Sequence, residues 1–265
     1  MKTRAITGFF FIAVLIAVVL FGPYTFVASF VLIGTACVHE FYKMVRKTDI
    51  RPLVSLGVVS SFMILVLVAA TCVEIDAKLT GWYALVPVFV IYIAALFRQT
   101  SNPVQDIAYT LFGLVYAAVP FLFFMGLGFI NKTYNPYLPL GFLILLWTND
   151  TGAYLAGRSF GKRKLFERIS PNKTWEGFVG GVLLAVVVAL NLERYFGSLS
   201  QMEWISVAII IGVFGTLGDL VESMLKRNVG VKDSGSILPG HGGLLDRFDG
   251  LLMAAPLVYF FLELI

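Results

Sequence analysis

"LLAVVVALNL", residues 183–192, carries one polar side chain, Asn191, in ten positions. A half-buried strand alternates apolar and polar side chains, and this run does not, so it reads as helix. Its surroundings make it a helix in lipid: 58% of the 265 residues are hydrophobic, 14% are charged and 24 are Phe, whereas ordinary soluble domains carry about 25% charged residues. Only helices and closed barrels satisfy every backbone group inside a bilayer, and a barrel needs short alternating segments. The sequence therefore predicts an all-α, polytopic integral membrane protein.

A span across roughly 30 Å of hydrocarbon takes about 20 mostly apolar residues. Nine such runs lie at about 4–22, 24–44, 53–73, 82–97, 107–130, 137–157, 175–192, 204–225 and 248–265, the fourth being the shortest. Of the 20 Lys and Arg, all but Lys78, Lys132 and Arg194 fall on one side if these runs alternate in direction. Lys and Arg gather in cytoplasmic loops, which predicts a cytoplasmic N-terminus and an odd number of spans. The multi-pass protein is expected in the cell's inner (plasma) membrane, its polar site facing the cytoplasm.

The net charge of +4 implies no nucleic-acid partner. Lys43, Arg46, Lys47 and Arg51 are placed to attract anionic headgroups. Cys37 and Cys72 sit in different runs without metal-ligand spacing and read as packing residues. The basic start and apolar centre of residues 1–22 resemble a signal peptide, but without a nearby small-x-small cleavage site they read as a retained first span.

Polarity divides the chain. Residues 1–135 form nearly pure apolar runs, an expected transmembrane scaffold and the expected face of a homodimer. Residues 136–265 collect the ionisable groups at helix ends and in two loops, and are expected to hold the catalytic site. In the first cluster, residues 147–181, Asn149 and Asp150 fall within a span, where a charge needs a polar cavity or an ionic partner. Lys162, Arg163, Lys164, Arg168 and Lys173 follow, and Ser170 and Pro171 are expected to open the seventh helix. Thr174 and Glu176 could cap it, and a helix N-terminus also favours an anion.

In the second cluster, residues 215–250, Asp219, Glu222 and Lys226 share one helical face. Asp246 and Asp249 stand at the start of the last helix. Carboxylates converging from two helix ends suit Mg²⁺. Gly240, Gly242 and Gly243 permit positive φ and close approach to a phosphate. His241, between them, reads as a hydrogen-bonding loop residue.

The segment 223–249, "SMLKRNVGVKDSGSILPGHGGLLDRFD", resembles the signature of the phosphatidate cytidylyltransferases, also called CDP-diacylglycerol synthases: Ser, Lys-Arg, Lys-Asp, Pro-Gly-His-Gly-Gly and Asp-Arg-x-Asp in order. The upstream "ND", "GK" and "SPNKTWEG" match as well, so the resemblance covers roughly the last 120 residues. It implies transfer of a cytidylyl group from CTP to phosphatidic acid, giving CDP-diacylglycerol and pyrophosphate. Both reactants are anions, so catalysis would rest on positioning and charge neutralisation.

On that resemblance Asp219 and Asp246 are the expected leading Mg²⁺ ligands, followed by Asp249 and Glu222, with a second cation left open. Lys173, Lys226 and Arg227 are the expected catalytic cations for the triphosphate and lipid phosphate. Substrate contacts are expected from Asn149, Asp150, Lys162, Ser170, Thr174, Glu176, Ser223, Lys232, Gly240, His241, Gly242, Gly243 and Arg247. The attacking phosphate is already an oxyanion, so no general base is required.

Three other readings compete. A CTP-dependent lipid kinase would share the phosphate chemistry but release CDP. A CDP-alcohol phosphotransferase needs a D-G-x-x-A-R motif, which "DGLLMAAP" at 249–256 does not supply. A transporter would tend to show two similar halves, and these halves differ sharply in polarity.

Overall fold

The computed structural model describes residues 2–73, 83, 85–238, 240 and 242–265, with side chains from Ile6 onward. Lys78, Trp82 at the start of the expected fourth span, and His241 in the polar loop lie outside the described residues. The helices are α1 (Lys2–Leu20), α2 (Pro23–Val45), α3 (Val54–Cys72), α4 (Val86–Leu96), α5 (Pro103–Leu127), α6 (Tyr137–Phe160), α7 (Trp175–Phe196), α8 (Gln201–Asn228) and α9 (Asp249–Leu264). Five of them, α2, α3, α5, α7 and α8, are long and apolar enough to cross a membrane. Asn149, Asp150 and Arg158 dilute the C-terminal half of α6, which is long enough but more polar.

Local chemistry accounts for several boundaries. Gly22, at φ 126°, makes the break between α1 and α2, and Pro23 starts α2 where its missing N–H costs nothing. Within α5, a π-turn at Leu114–Ala118 precedes Pro120, widening the helix where proline cannot donate to the preceding turn. Ser200 and Glu203 form a reciprocal capping box at the start of α8.

One expectation fails here. Ser170 and Pro171 do not open the seventh helix; Ser170–Thr174 is a strand, β2, paired antiparallel with β1 (Lys164–Phe166). The helix begins at Trp175, and Thr174 is its N-cap, accepting from the Gly177 N–H at 3.1 Å. Glu176 is turned outward, where its carboxylate accepts the backbone N–H groups of Lys162 and Arg163 at 3.1–3.3 Å. That ties the base of the hairpin to the first turn of α7. The all-α bundle thus carries a small β-hairpin between α6 and α7.

Small residues make the helix seams. A methyl group at Gly180 would strike Ala156 of α6, one at Gly181 would strike the Asn149 backbone oxygen, and one at Gly218 would strike the Asp249 backbone. In lipid, helices gain little by hiding apolar surface from each other, so close backbone approach supplies the packing. These seams set the polar ends of α6, α7, α8 and α9 side by side.

The two halves are locked together by aromatics. Phe248, 1% exposed, packs edge-on against Phe121 at a centroid distance of 5.4 Å and against Phe30 at 6.3 Å. Phe30 in turn lies 4.7 Å from Phe124. At the same end of the bundle the Arg51 N–H donates to Asp106 (2.7 Å) and Arg98 donates to the Arg51 carbonyl (2.5 Å). Lys43 and Lys47 at the end of α2 line one cavity with Lys232, just beyond α8, so these basic ends lie together.

Candidate active site

Two polar constellations occupy that end. The first surrounds a cavity of about 530 Å³ walled by α6, the hairpin, α7 and α8. Asn149, Asp150, Ser170, Lys173, Thr174 and Asp219 are among its lining residues. Lys173 reaches from β2 to Asp219 on α8, Nζ to Oδ2 2.5 Å, with the two side chains 25% and 36% exposed. The other Asp219 oxygen accepts from the Ser223 hydroxyl at 3.2 Å. Tyr154, Leu165 and Phe178 complete the wall with apolar surface. One cavity therefore offers a cation, carboxylates and grease together.

The second constellation is built around Lys226. Its ammonium donates to Glu222 Oε2 and Asp246 Oδ1, both at 2.7 Å, and the three side chains are 12%, 0% and 6% exposed. Asp246 also accepts the backbone N–H groups of Ser234 (3.0 Å) and Gly243 (2.8 Å). Burial opposes its ionisation, but the Lys226 hydrogen bond and these N–H groups outweigh it and hold the carboxyl below its usual value. Gly240 and Gly242 have φ of 74° and 83°, as the glycine-rich loop required, and Gly242 bridges back to Leu238.

The expected ligand pair Asp219 and Asp246 is thus divided between two lysines. Among the described residues no group of three or more His, Cys, Asp or Glu side chains is set as a metal cage. The first cavity still suits a divalent cation chemically. Asp150 and Asp219, on α6 and α8, line it and repel one another, Lys173 and Arg247 offset the Asp150 charge in part, and Asp249 at the start of α9 adds to the repulsion from outside the lining. Hard oxygen donors with surplus negative charge are what Mg²⁺ takes.

Apart from Asn149, deep in the first cavity wall, the remaining expected residues are spread out. Asn149 is 1% exposed, with Oδ1 buried among the small residues Gly181 and Gly212 and without a hydrogen bond. Asp249 accepts from the Gly250 N–H at 2.7 Å. Arg227 is exposed and donates to the Val231 carbonyl at 3.4 Å, closing the end of α8. Lys162 and Arg247 are exposed. Lys232 lines a different cavity, of about 540 Å³, with Lys43, Lys47 and Asp233.

Glu40 was missed by sequence reasoning. It lies on α2, is 2% exposed, and accepts from the Leu245 N–H at 2.9 Å and the Ser234 hydroxyl at 3.2 Å. A signal existed, since an acid within an otherwise apolar run needs a polar partner.

Residues 2–265 match the model of the cytidylyltransferase family. The chain is 34% identical to a phosphatidate cytidylyltransferase of Bacillus subtilis over 266 residues, covering 100% of this chain and 98% of that one. It is 34% identical over 264 residues to the enzyme of that name from Staphylococcus epidermidis, covering 97% of each. Over 172 residues, 64% of each chain, it is 41% identical to the Staphylococcus aureus protein of the same name. This chain, with its lysine- and carboxylate-lined cavity at the end of an apolar helix bundle, belongs to the cytidylyltransferase family and is a nucleotidyltransferase.

Proposed function

We propose that the protein transfers the cytidylyl group of CTP to phosphatidic acid, releasing pyrophosphate and forming CDP-diacylglycerol. A lipid phosphate oxygen attacks the α-phosphorus of CTP, and the bond from that phosphorus to the bridging oxygen of the β-phosphate breaks. The observation that carries the reading is the Lys173–Asp219 pair in a cavity whose other wall is apolar. A phosphate needs the cation and an acyl chain needs the grease.

Lys173 is the residue best placed to bind a substrate phosphate. Exchanging its Asp219 partner for a phosphate oxygen keeps the ammonium paired and leaves Asp219 free. Ser170 and Thr174 flank it; the Thr174 oxygen is committed to the helix cap, so Ser170 is the better donor to substrate. Lys226 is held by Glu222 and Asp246 and orders the loop beside the site. Asp219, with Asp150 in the same cavity, would hold Mg²⁺, which when bound would neutralise phosphate charge as the phosphorus–oxygen bonds change. Asp246 and Glu222, already paired with Lys226, support that corner from behind.

The same reading places about nine spans in the plasma membrane with the N-terminus and the site on the cytoplasmic side, where CTP is available. Residues 136–265 carry the chemistry on a scaffold of residues 1–135, which also supplies the surface for a homodimer.

The test is purified protein in mixed micelles with labelled CTP, phosphatidic acid and Mg²⁺, with and without EDTA. Cytidine label in the lipid fraction with stoichiometric pyrophosphate, abolished by EDTA, is the expected result. Release of CDP with phosphate on the lipid would assign a kinase instead. Lys173→Ala should lower turnover at least about 100-fold, the usual scale for a positioned charge on a reacting phosphate.

A further inference from the structure

Glu40 stands outside the residues that line the Lys173–Asp219 cavity, yet it is among the most buried acids in the described chain. Burying a carboxyl is costly unless it is hydrogen-bonded, so its contacts must be specific. One oxygen takes the Leu245 N–H and the Ser234 hydroxyl, from chain segments about 200 residues away. The other lies against Gly235, where a side chain would run into it, and a side chain at Gly243 would run into both Glu40 and Ser234. The loop is wrapped around this carboxyl, and two glycines make the wrapping possible.

Ser234 and Gly243 are also the residues whose backbone N–H groups donate to Asp246, which in turn holds Lys226. Glu40 therefore connects α2 to the Asp246–Lys226–Glu222 constellation through one loop. We infer that Glu40 is a positioning residue for the cytidylyl transfer, acting through Ser234 and Leu245 to fix residues 234–235 and 243–245 against Asp246. The inference rests on the proposed reaction, and it gives the apolar N-terminal half a part in the site. It also explains a glycine that sequence reasoning ascribed to phosphate contact: Gly243 is small because Glu40 and Ser234 fill the space a side chain would need.

The experiment uses full-length protein in detergent micelles with two readouts. Hydrogen exchange across residues 231–248 reports the loop without reference to activity. Initial rates against CTP, corrected for the folded fraction, report kcat and KM separately. Glu40→Ala should accelerate exchange in that segment and lower kcat/KM about 10- to 100-fold, the scale seen when outer-shell partners of a site are removed.

Glu40→Gln keeps an acceptor for Leu245 and should recover most of both. Ser234→Ala, a milder change that keeps the protein testable if Glu40→Ala does not fold, should lower kcat/KM by a few-fold and, where Glu40→Ala folds, be non-additive with it. Unchanged exchange and unchanged kcat/KM of the folded fraction in these variants, with only thermal stability reduced, would overturn the inference. Wild-type protein that fails to make CDP-diacylglycerol would sink the reaction instead, and the exchange result would still judge the contact.

Discussion

Replacing Lys226 by Met should be among the most destabilising single substitutions at the polar end of the bundle. Met matches the volume of the lysine stem but removes the charge shared by Glu222 and Asp246. Exposed ion pairs are worth about 0–1 kcal/mol, but side-chain exposures of 12%, 0% and 6% leave little water to screen this one. Stranding a buried partner costs about 3–5 kcal/mol. Here Glu222 would lose its ammonium partner, and its second oxygen already lacks a hydrogen bond. With about 2–4 °C of midpoint shift per kcal/mol for a chain of this size, the loss is roughly 6–20 °C.

The buried thiol of Cys37 supplies the assay: with the half-buried Cys72 replaced by Ser in every variant compared, a thiol-reactive fluorophore in micelles should label the protein only on unfolding. Adding Glu222→Gln to Lys226→Met should restore a large part of the midpoint. A fall of less than about 1 kcal/mol, the surface-pair value, would refute the treatment of this constellation as a buried unit.

Acid should act through Asp246. Its carboxyl ionises more readily folded than unfolded, so its contribution is present above the unfolded value and is lost as pH falls through the lower folded value. Midpoints measured from about pH 5 downward should fall less steeply in Asp246→Asn than in the wild type; parallel curves would remove Asp246 as the cause. Gly180→Leu should force α6 and α7 apart at Ala156, costing about 1–3 kcal/mol by overpacking and measurable by the same thiol assay. Asp219→Asn should leave the fold intact and depress turnover with the Mg²⁺ requirement shifted to higher concentration, read by titrating Mg²⁺ in the label-transfer assay. Glu176→Ala should free the base of the hairpin, seen as faster limited proteolysis between residues 161 and 170, without moving the unfolding midpoint of the helices.

Much of this protein was legible along the chain. Among the described residues a helix overlaps each expected apolar run, and five of these helices are long and apolar enough to cross a membrane, because a segment surrounded by lipid must satisfy its own backbone. The ordered motif at 223–249 carried the resemblance to the family, and its residue types are those that neutralise and approach phosphates. Thr174 as a helix cap was legible too, since capping is a matter of one side chain and the three residues after it.

What the one-dimensional pattern could not decide was pairing. Asp219, Glu222 and Lys226 share a helical face, yet Asp219 turns to Lys173 on the hairpin while Glu222 and Lys226 turn to Asp246. The choice depends on how α8 meets β2 and the last loop. The strand at Ser170–Thr174 was hidden because its partner, Lys164–Phe166, stabilises it only after the chain has turned back. Glu40 is the clearest case. Nothing adjacent to it in sequence explains a buried acid, and its partners arrive from residues 234 and 245. Periodicity and local chemistry act within a few residues and determine the helices and caps. Charges in a low-dielectric interior are settled by whichever groups the whole fold brings within hydrogen-bonding distance, and that belongs to the tertiary structure alone.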